Sequence, residues 1–149
     1  MKNIILGFLV FGSISAYSSD IDLRTFEKCS NTNFISLRPE YQGTYLADSG
    51  KMITLNAEGL KTFNPGFNLE LYSNMCVHQK IVGSRLVVEL TTSENFFRDG
   101  GFKQKIVVKL REGSVKLGHK RYLKAGFMKS GMSIQGGDRM IFTDLQKVN

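Results

Sequence analysis

The strongest constraint on this chain is a period of two in its hydrophobic pattern. Leu86, Val88 and Leu90 alternate with Arg85, Val87 and Glu89, and Ile106, Val108 and Leu110 alternate with Lys105, Val107 and Lys109. Phe67, Leu69 and Leu71 alternate with Asn68, Glu70 and Tyr72. Successive side chains of a strand point to opposite faces, so each run describes a strand with one face in a core. Further strand candidates are Phe34–Arg38, Gly43–Ala47, Met52–Ala57, Leu60–Phe63, Ser114–Leu117, Tyr122–Lys124 and Met140–Leu145. Turn signals separate them at Asp48-Ser49-Gly50, Ala57-Glu58-Gly59, Asn64-Pro65-Gly66, Asp99-Gly100-Gly101, Glu112-Gly113 and Gly136-Gly137-Asp138.

Roughly eight to ten short strands at this spacing predict an all-β fold, a small antiparallel meander rolled into a closed or partly open barrel. No helical pattern separates the strands, which argues against a parallel α/β sheet. The one helical signal is a short N-terminal helix over Asp20–Cys29, capped by Ser19 or Asp20, with Leu23 and Phe26 on one face. Gly43-Thr44-Tyr45 enters an early hairpin strand, and Met140-Ile141-Phe142 falls in the last strand. On these residues and the strand rhythm the outline resembles a small lipocalin-like barrel. The family has Gly-x-Trp near its start; this chain has no tryptophan, and Tyr45 stands in its place. The resemblance implies a barrel and assigns no functional residue.

Export is expected from the N-terminus. Lys2 gives a positive start, Ile4 to Ile14 an apolar run, and Ser13, Ser15, Ala16 and Ser18 the small residues of a cleavage region. The run is well short of the roughly 20 residues that span a bilayer. Residues 1–18 are therefore read as a signal peptide, cleaved after Ala16 or Ser18, leaving residues 19–149 as one β-rich domain with no transmembrane anchor. The location is periplasmic or secreted. In such a compartment the two cysteines, Cys29 and Cys76, are read as a disulfide.

Charge is concentrated in one segment. Residues 98–129 carry ten Lys and Arg against Asp99 and Glu112 alone. Within Lys103–Arg111 the odd positions read Lys, Lys, Val, Lys, Arg and the even ones Gln, Ile, Val, Leu. One face of that strand buries apolar area and the other displays cations. If Glu112-Gly113 is a two-residue turn, Lys116 on the return strand extends the same surface. Lys103, Lys105, Lys109, Arg111, Lys116, Lys120, Arg121 and Lys124 form the candidate anion-binding set. Such a surface either concentrates anions or merely keeps a sheet face solvated and its edges unpaired.

Catalytic signatures are missing. No nucleophile elbow, zinc-protease helix, phosphate loop or dinucleotide fingerprint occurs. His78 lies two residues from Cys76, too far along a strand for a nucleophile pair. His119 sits among cations, a poor setting for a metal. No cofactor or metal is expected. Phe96-Phe97, Phe127, Met128 and Met132 serve as loop packing, or else line a barrel mouth or a partner surface. The function expected is non-catalytic binding of an anionic lipid, glycan or acidic protein; nucleic acid is not favoured, for want of a stacking motif. A lipocalin-like carrier of an apolar ligand is the alternative, and a hydrolase with dispersed residues the least supported.

Overall fold

The computed structural model describes residues 14–17, 20–30, 32, 34–67, 69–125, 134–135 and 140–149, with pairing alone at 14–17 and 134–135. Its strands are β1 (Ile14–Tyr17), β2 (Ile21–Asp22), β3 (Glu27–Lys28), β4 (Gly43–Leu46), β5 (Met52–Asn56), β6 (Gly59–Asn64) and β7 (Leu69–Tyr72). They continue as β8 (Cys76–Val82), β9 (Arg85–Thr91), β10 (Gly100–Lys109), β11 (Ser114–Ala125), β12 (Ile134–Gln135) and β13 (Phe142–Lys147). Most of the signal-peptide reading, the Gly136-Gly137-Asp138 turn, Phe127, Met128 and Met132 lie outside the described residues. Residues 14–17 pair antiparallel with β7, Ile14 opposite Tyr72 and Tyr17 opposite Leu69.

The fold is all-β and barrel-like. Eleven strands form one curled sheet in the order β2-β6-β5-β4-β13-β11-β10-β9-β8-β3, with β12 beside β11. Two antiparallel meanders, β4–β5–β6 and β8–β9–β10–β11, make the two halves. The C-terminal β13 joins them, pairing with β11 on one side and β4 on the other. Each meander follows from its turns: a glycine with positive φ sits at Gly50, Gly59, Gly83 and Gly113, where the chain reverses. The concave side is filled by its own side chains. Tyr45, Ile53, Phe63, Leu86, Val88, Leu90, Ile106, Val108, Val115 and Leu145 are all fully buried there.

The half-barrel is strapped by its first residues. The expected helix over Asp20–Cys29 is reduced to a single 3-10 turn, Leu23–Thr25, between two extended pairs. Its cap is Asp22, whose carboxylate accepts from the Arg24 amide at 2.9 Å. A helix this short is marginal by itself, whereas extended residues gain ladder partners at both edges. β2 pairs antiparallel with β6, and β3 pairs parallel with β8. Cys29 bonds Cys76 at the end of the strap, with Cα atoms 5.0 Å apart. Between the edges, Gln79 of β8 replaces a missing strand. Its Oε1 accepts from the Leu60 amide at 2.9 Å, and its Nε2 donates to the Leu60 carbonyl at 3.1 Å.

Other elements also depart from the expected strand set. Phe34–Arg38 forms no strand; Leu37 alone buries its side chain, and its amide donates to the Ala57 carbonyl at 2.8 Å. β8 was not singled out by alternation, because its inward positions are Val77, Gln79 and Ile81 and the last two are not buried. Ser114–Leu117 and Tyr122–Lys124 are parts of one strand, β11, which runs on through Gly118-His119-Lys120-Arg121.

Candidate functional site

The parity expected for Lys103–Arg111 is what β10 adopts. Gln104, Ile106 and Val108 are buried inward, while Lys103, Lys105, Val107 and Lys109 face out. The turn to β11 is longer than two residues, since Lys109 and Lys116 are the last opposed pair. Lys116 nevertheless joins the outer face, opposite Lys109. Lys120 lies opposite Lys105, and Tyr122 opposite Lys103. Arg111 is exposed in the turn. Lys124 aligns with Gly101; its side chain lies outside what is described.

Arg121 departs from this set. It is opposite the buried Gln104, so it belongs to the inward parity with His119. His119 Nε2 lies 2.8 Å from Gln104 Oε1. The ring stands 5.6 Å from that of Phe63 and 6.0 Å from that of Phe67. Burial, then the charges of Lys51 and Arg121, lower its pKa from 6.5 to about 4. Those same cations disfavour a metal ion there.

Across the strands the outer face is ordered in rows. Arg85, Lys109, Lys116 and Asp144 form one; Val87, Val107, Gly118 and Phe142 the next; Glu89, Lys105 and Lys120 the third; Thr91, Lys103 and Tyr122 the fourth. The second row is apolar and covered, which is why Val107 and Val87 are buried on an outward face. Gly118 leaves room for that cover: a Cβ there would stand 2.5 Å from Met140 Sδ and 2.9 Å from Phe142 Cε1.

The cations of the rows differ in how far the protein already satisfies them. Lys116 pairs with Asp144 at 3.1 Å. Lys109 Nζ sits 4.0 Å above the Phe142 ring, within cation–π range. Lys103 is 13% exposed in its side chain and pairs with Glu89 at 3.5 Å. Its ammonium also lies over Phe96 at 5.0 Å and Phe97 at 5.4 Å. Lys120 is 5.4 Å from the Tyr122 ring. Among the described residues no ion pair reaches Lys105 or Lys120.

The aromatic side of this arrangement comes from a short loop. α1 (Phe96–Asp99) folds back on the outer face after β9, capped by the Asn95 side chain. Gly100 and Gly101 then reverse the chain with φ of 77° and 110°. Thr92 fastens the loop: its Oγ1 accepts from the Phe102 amide, and its own amide donates to the Phe102 carbonyl, both at 3.0 Å. Phe96 is thereby buried and Phe97 left exposed. Glu89, Phe96, Phe97, Lys103, Lys105 and Tyr122 line a pocket of about 150 Å³. A second pocket of about 100 Å³ shares Glu89 and Lys103 and reaches His78, Ser93, Glu94 and the disulfide. Glu94 accepts a hydrogen bond from Ser30, which lowers its pKa. With Cys76 in the disulfide, the His78 neighbourhood offers no thiol nucleophile.

No family model, curated protein or solved structure matches this chain. Its residues alone carry the functional reading. Among the described residues no group of three His, Cys, Asp or Glu side chains is placed to hold a metal ion, and no helix is long and apolar enough to cross a membrane.

Proposed function

We propose that this chain is an exported, non-catalytic binding protein whose outer face, on β10 and β11, holds an anionic component of a cell envelope or an acidic partner. The observation that carries this is the direct opposition of Lys105 to Lys120 and of Lys109 to Lys116. Like charges directly opposite on neighbouring strands are destabilising, by roughly 0.2–1 kcal/mol per pair. Solvation or edge protection would be served as well by staggered charges. Asp144 already offsets Lys116, so the Lys105–Lys120 pair is the point of concentrated positive potential, and an anion there relieves the repulsion. The leader-like residues before position 19 and the Cys29–Cys76 bond support export.

The packed concave side favours this reading over an internal carrier, since Tyr45, Ile53 and Phe63 occupy the space a ligand would need. The test is retention on immobilised heparin across a salt gradient. The wild type is expected to bind and to elute with rising salt. The Lys105→Glu, Lys109→Glu, Arg111→Glu triple variant should flow through. Equal retention of the two would remove the outer face from consideration.

A further inference from the structure

The pocket beside α1 joins two kinds of chemistry that the rest of the outer face keeps apart. Its walls are three rings, Phe96, Phe97 and Tyr122, and three charged groups, Lys103, Lys105 and Glu89. Glu89 is already engaged by Lys103. Lys103 is itself held against the Phe96 and Phe97 rings. That side of the pocket is therefore a fixed wall. Lys105 is different: across the strands it stands between Glu89 and Lys120, and among the described residues no ion pair reaches either lysine. At the rim stands Phe97, 67% exposed. Its ring is held by Lys103 and by the edge of Phe96.

We propose that this pocket is a saccharide subsite, taking an acidic sugar residue of an envelope or extracellular glycan. The sugar's acidic group sits between Lys105 and Lys120, and its apolar C–H face lies on Phe97 and Tyr122. The assignment rests on the anion-binding reading above and goes beyond it in naming the place and the ligand class. Lysines alone would accept any anion, and rings alone any apolar body. The two together select a molecule that carries a charge on a ring with an apolar face. A free phosphate would leave the aromatic wall unused. A lipid acyl chain needs a long trough, whereas the pocket encloses about 150 Å³. The wall is preorganised by the Glu89–Lys103 pair and the Thr92 fastening, so little ordering is required on binding.

Calorimetric titration at low salt tests this, with three probes: a uronic-acid oligosaccharide, a neutral glucose oligosaccharide, and vesicles of anionic phospholipid. The uronic-acid probe should bind and the neutral one should not. Phe97→Ala should weaken binding about tenfold, the share expected for one lost ring contact, without changing its salt dependence. Lys105→Gln should weaken binding and flatten the salt dependence. Lys61→Gln, on β6 and outside both the pocket and the basic face, should bind as the wild type does. Phe97 touches Phe96 and Lys103, so urea unfolding checks that its variant is fully folded under the titration conditions. Full binding by Phe97→Ala overturns the subsite. If the triple glutamate variant still loses heparin retention, the broader reading survives that result. Binding to vesicles alone, unaffected by Phe97→Ala, also overturns the subsite and assigns the face to a lipid surface. A wild type that binds neither the uronic-acid probe nor heparin overturns both.

Discussion

His119 should make this protein acid-sensitive in a defined window. The imidazole stands on the inward face, against Gln104 and the Phe63 ring, and its pKa is lowered from 6.5 to about 4. Burial is the main cause, and the cations Lys51 and Arg121 add to it. Between those two values the unfolded ring binds a proton that the folded ring refuses. The stability His119 contributes is thus complete above pH 6.5 and is lost as pH falls toward about 4. Each unit of pKa difference is worth about 1.4 kcal/mol, so acidification from about pH 7 to about pH 4.5 removes about 2 kcal/mol through this residue. His119→Gln keeps a donor for the Gln104 oxygen and cannot take up a proton. Urea unfolding followed by circular dichroism at the two pH values gives the comparison. The loss of stability in the wild type should exceed that in His119→Gln by about 2 kcal/mol. Equal losses would refute the argument. Asp22 does not confuse this window: its hydrogen bonds from Arg24 lower its pKa from 3.8 to about 2, so its contribution fades only below pH 3.8.

Three other substitutions or treatments probe how the sheet is held. Gly101→Ala would place a Cβ 2.3 Å from Thr92 Oγ1 at φ +110°; a destabilisation of about 1–3 kcal/mol is expected, with faster proteolysis within residues 92–99 than elsewhere. Gln79→Leu strips the Leu60 amide and carbonyl of their partners; it should cost about 1–3 kcal/mol by urea unfolding and raise hydrogen exchange at the Leu60 amide first. Reducing Cys29–Cys76, which closes a loop of 47 positions, should lower stability by up to about 4 kcal/mol on the chain-entropy account. An unchanged denaturation midpoint under reductant would show that the ladders alone hold the strap.

The outward parity of Lys103, Lys105 and Lys109 was legible because a strand with one buried face has a single way to place alternating residues. What that parity meant was not. Val107 shares it yet is buried, because Val87, Gly118 and Phe142 happen to fall into register beside it. Register across strands is a long-range property, and no local period encodes it. Arg121 was grouped with Lys120 by proximity in sequence, although adjacent residues of a strand face opposite ways. The aromatic pocket was out of reach for another reason. A turn as short as Phe96–Asp99 has no periodicity to read, and which phenylalanine is buried depends on how Gly100 and Gly101 aim the chain. β8 was overlooked because Gln79 occupies an inward position, and that glutamine is the residue that spans the seam. The Leu23 and Phe26 spacing that suggests a helix over Asp20–Cys29 is also satisfied by one 3-10 turn.

The strap at residues 21–29 also sets an order in time. It is synthesised before every strand it binds, yet it has nowhere to settle until β6 and β8 exist. β2 waits for Thr62 and Phe63, β3 waits for Cys76 and Val77, and the Cys29 sulfur waits for a thiol made 47 positions later. The strap therefore cannot be seated before the chain has been made through Val77. In the interval β6 and β8 are both open edges, able to pair with a neighbouring chain as readily as with their own. Pairing of β2 with β6 and of β3 with β8 covers those edges, and the Cys29–Cys76 bond holds the cover in place.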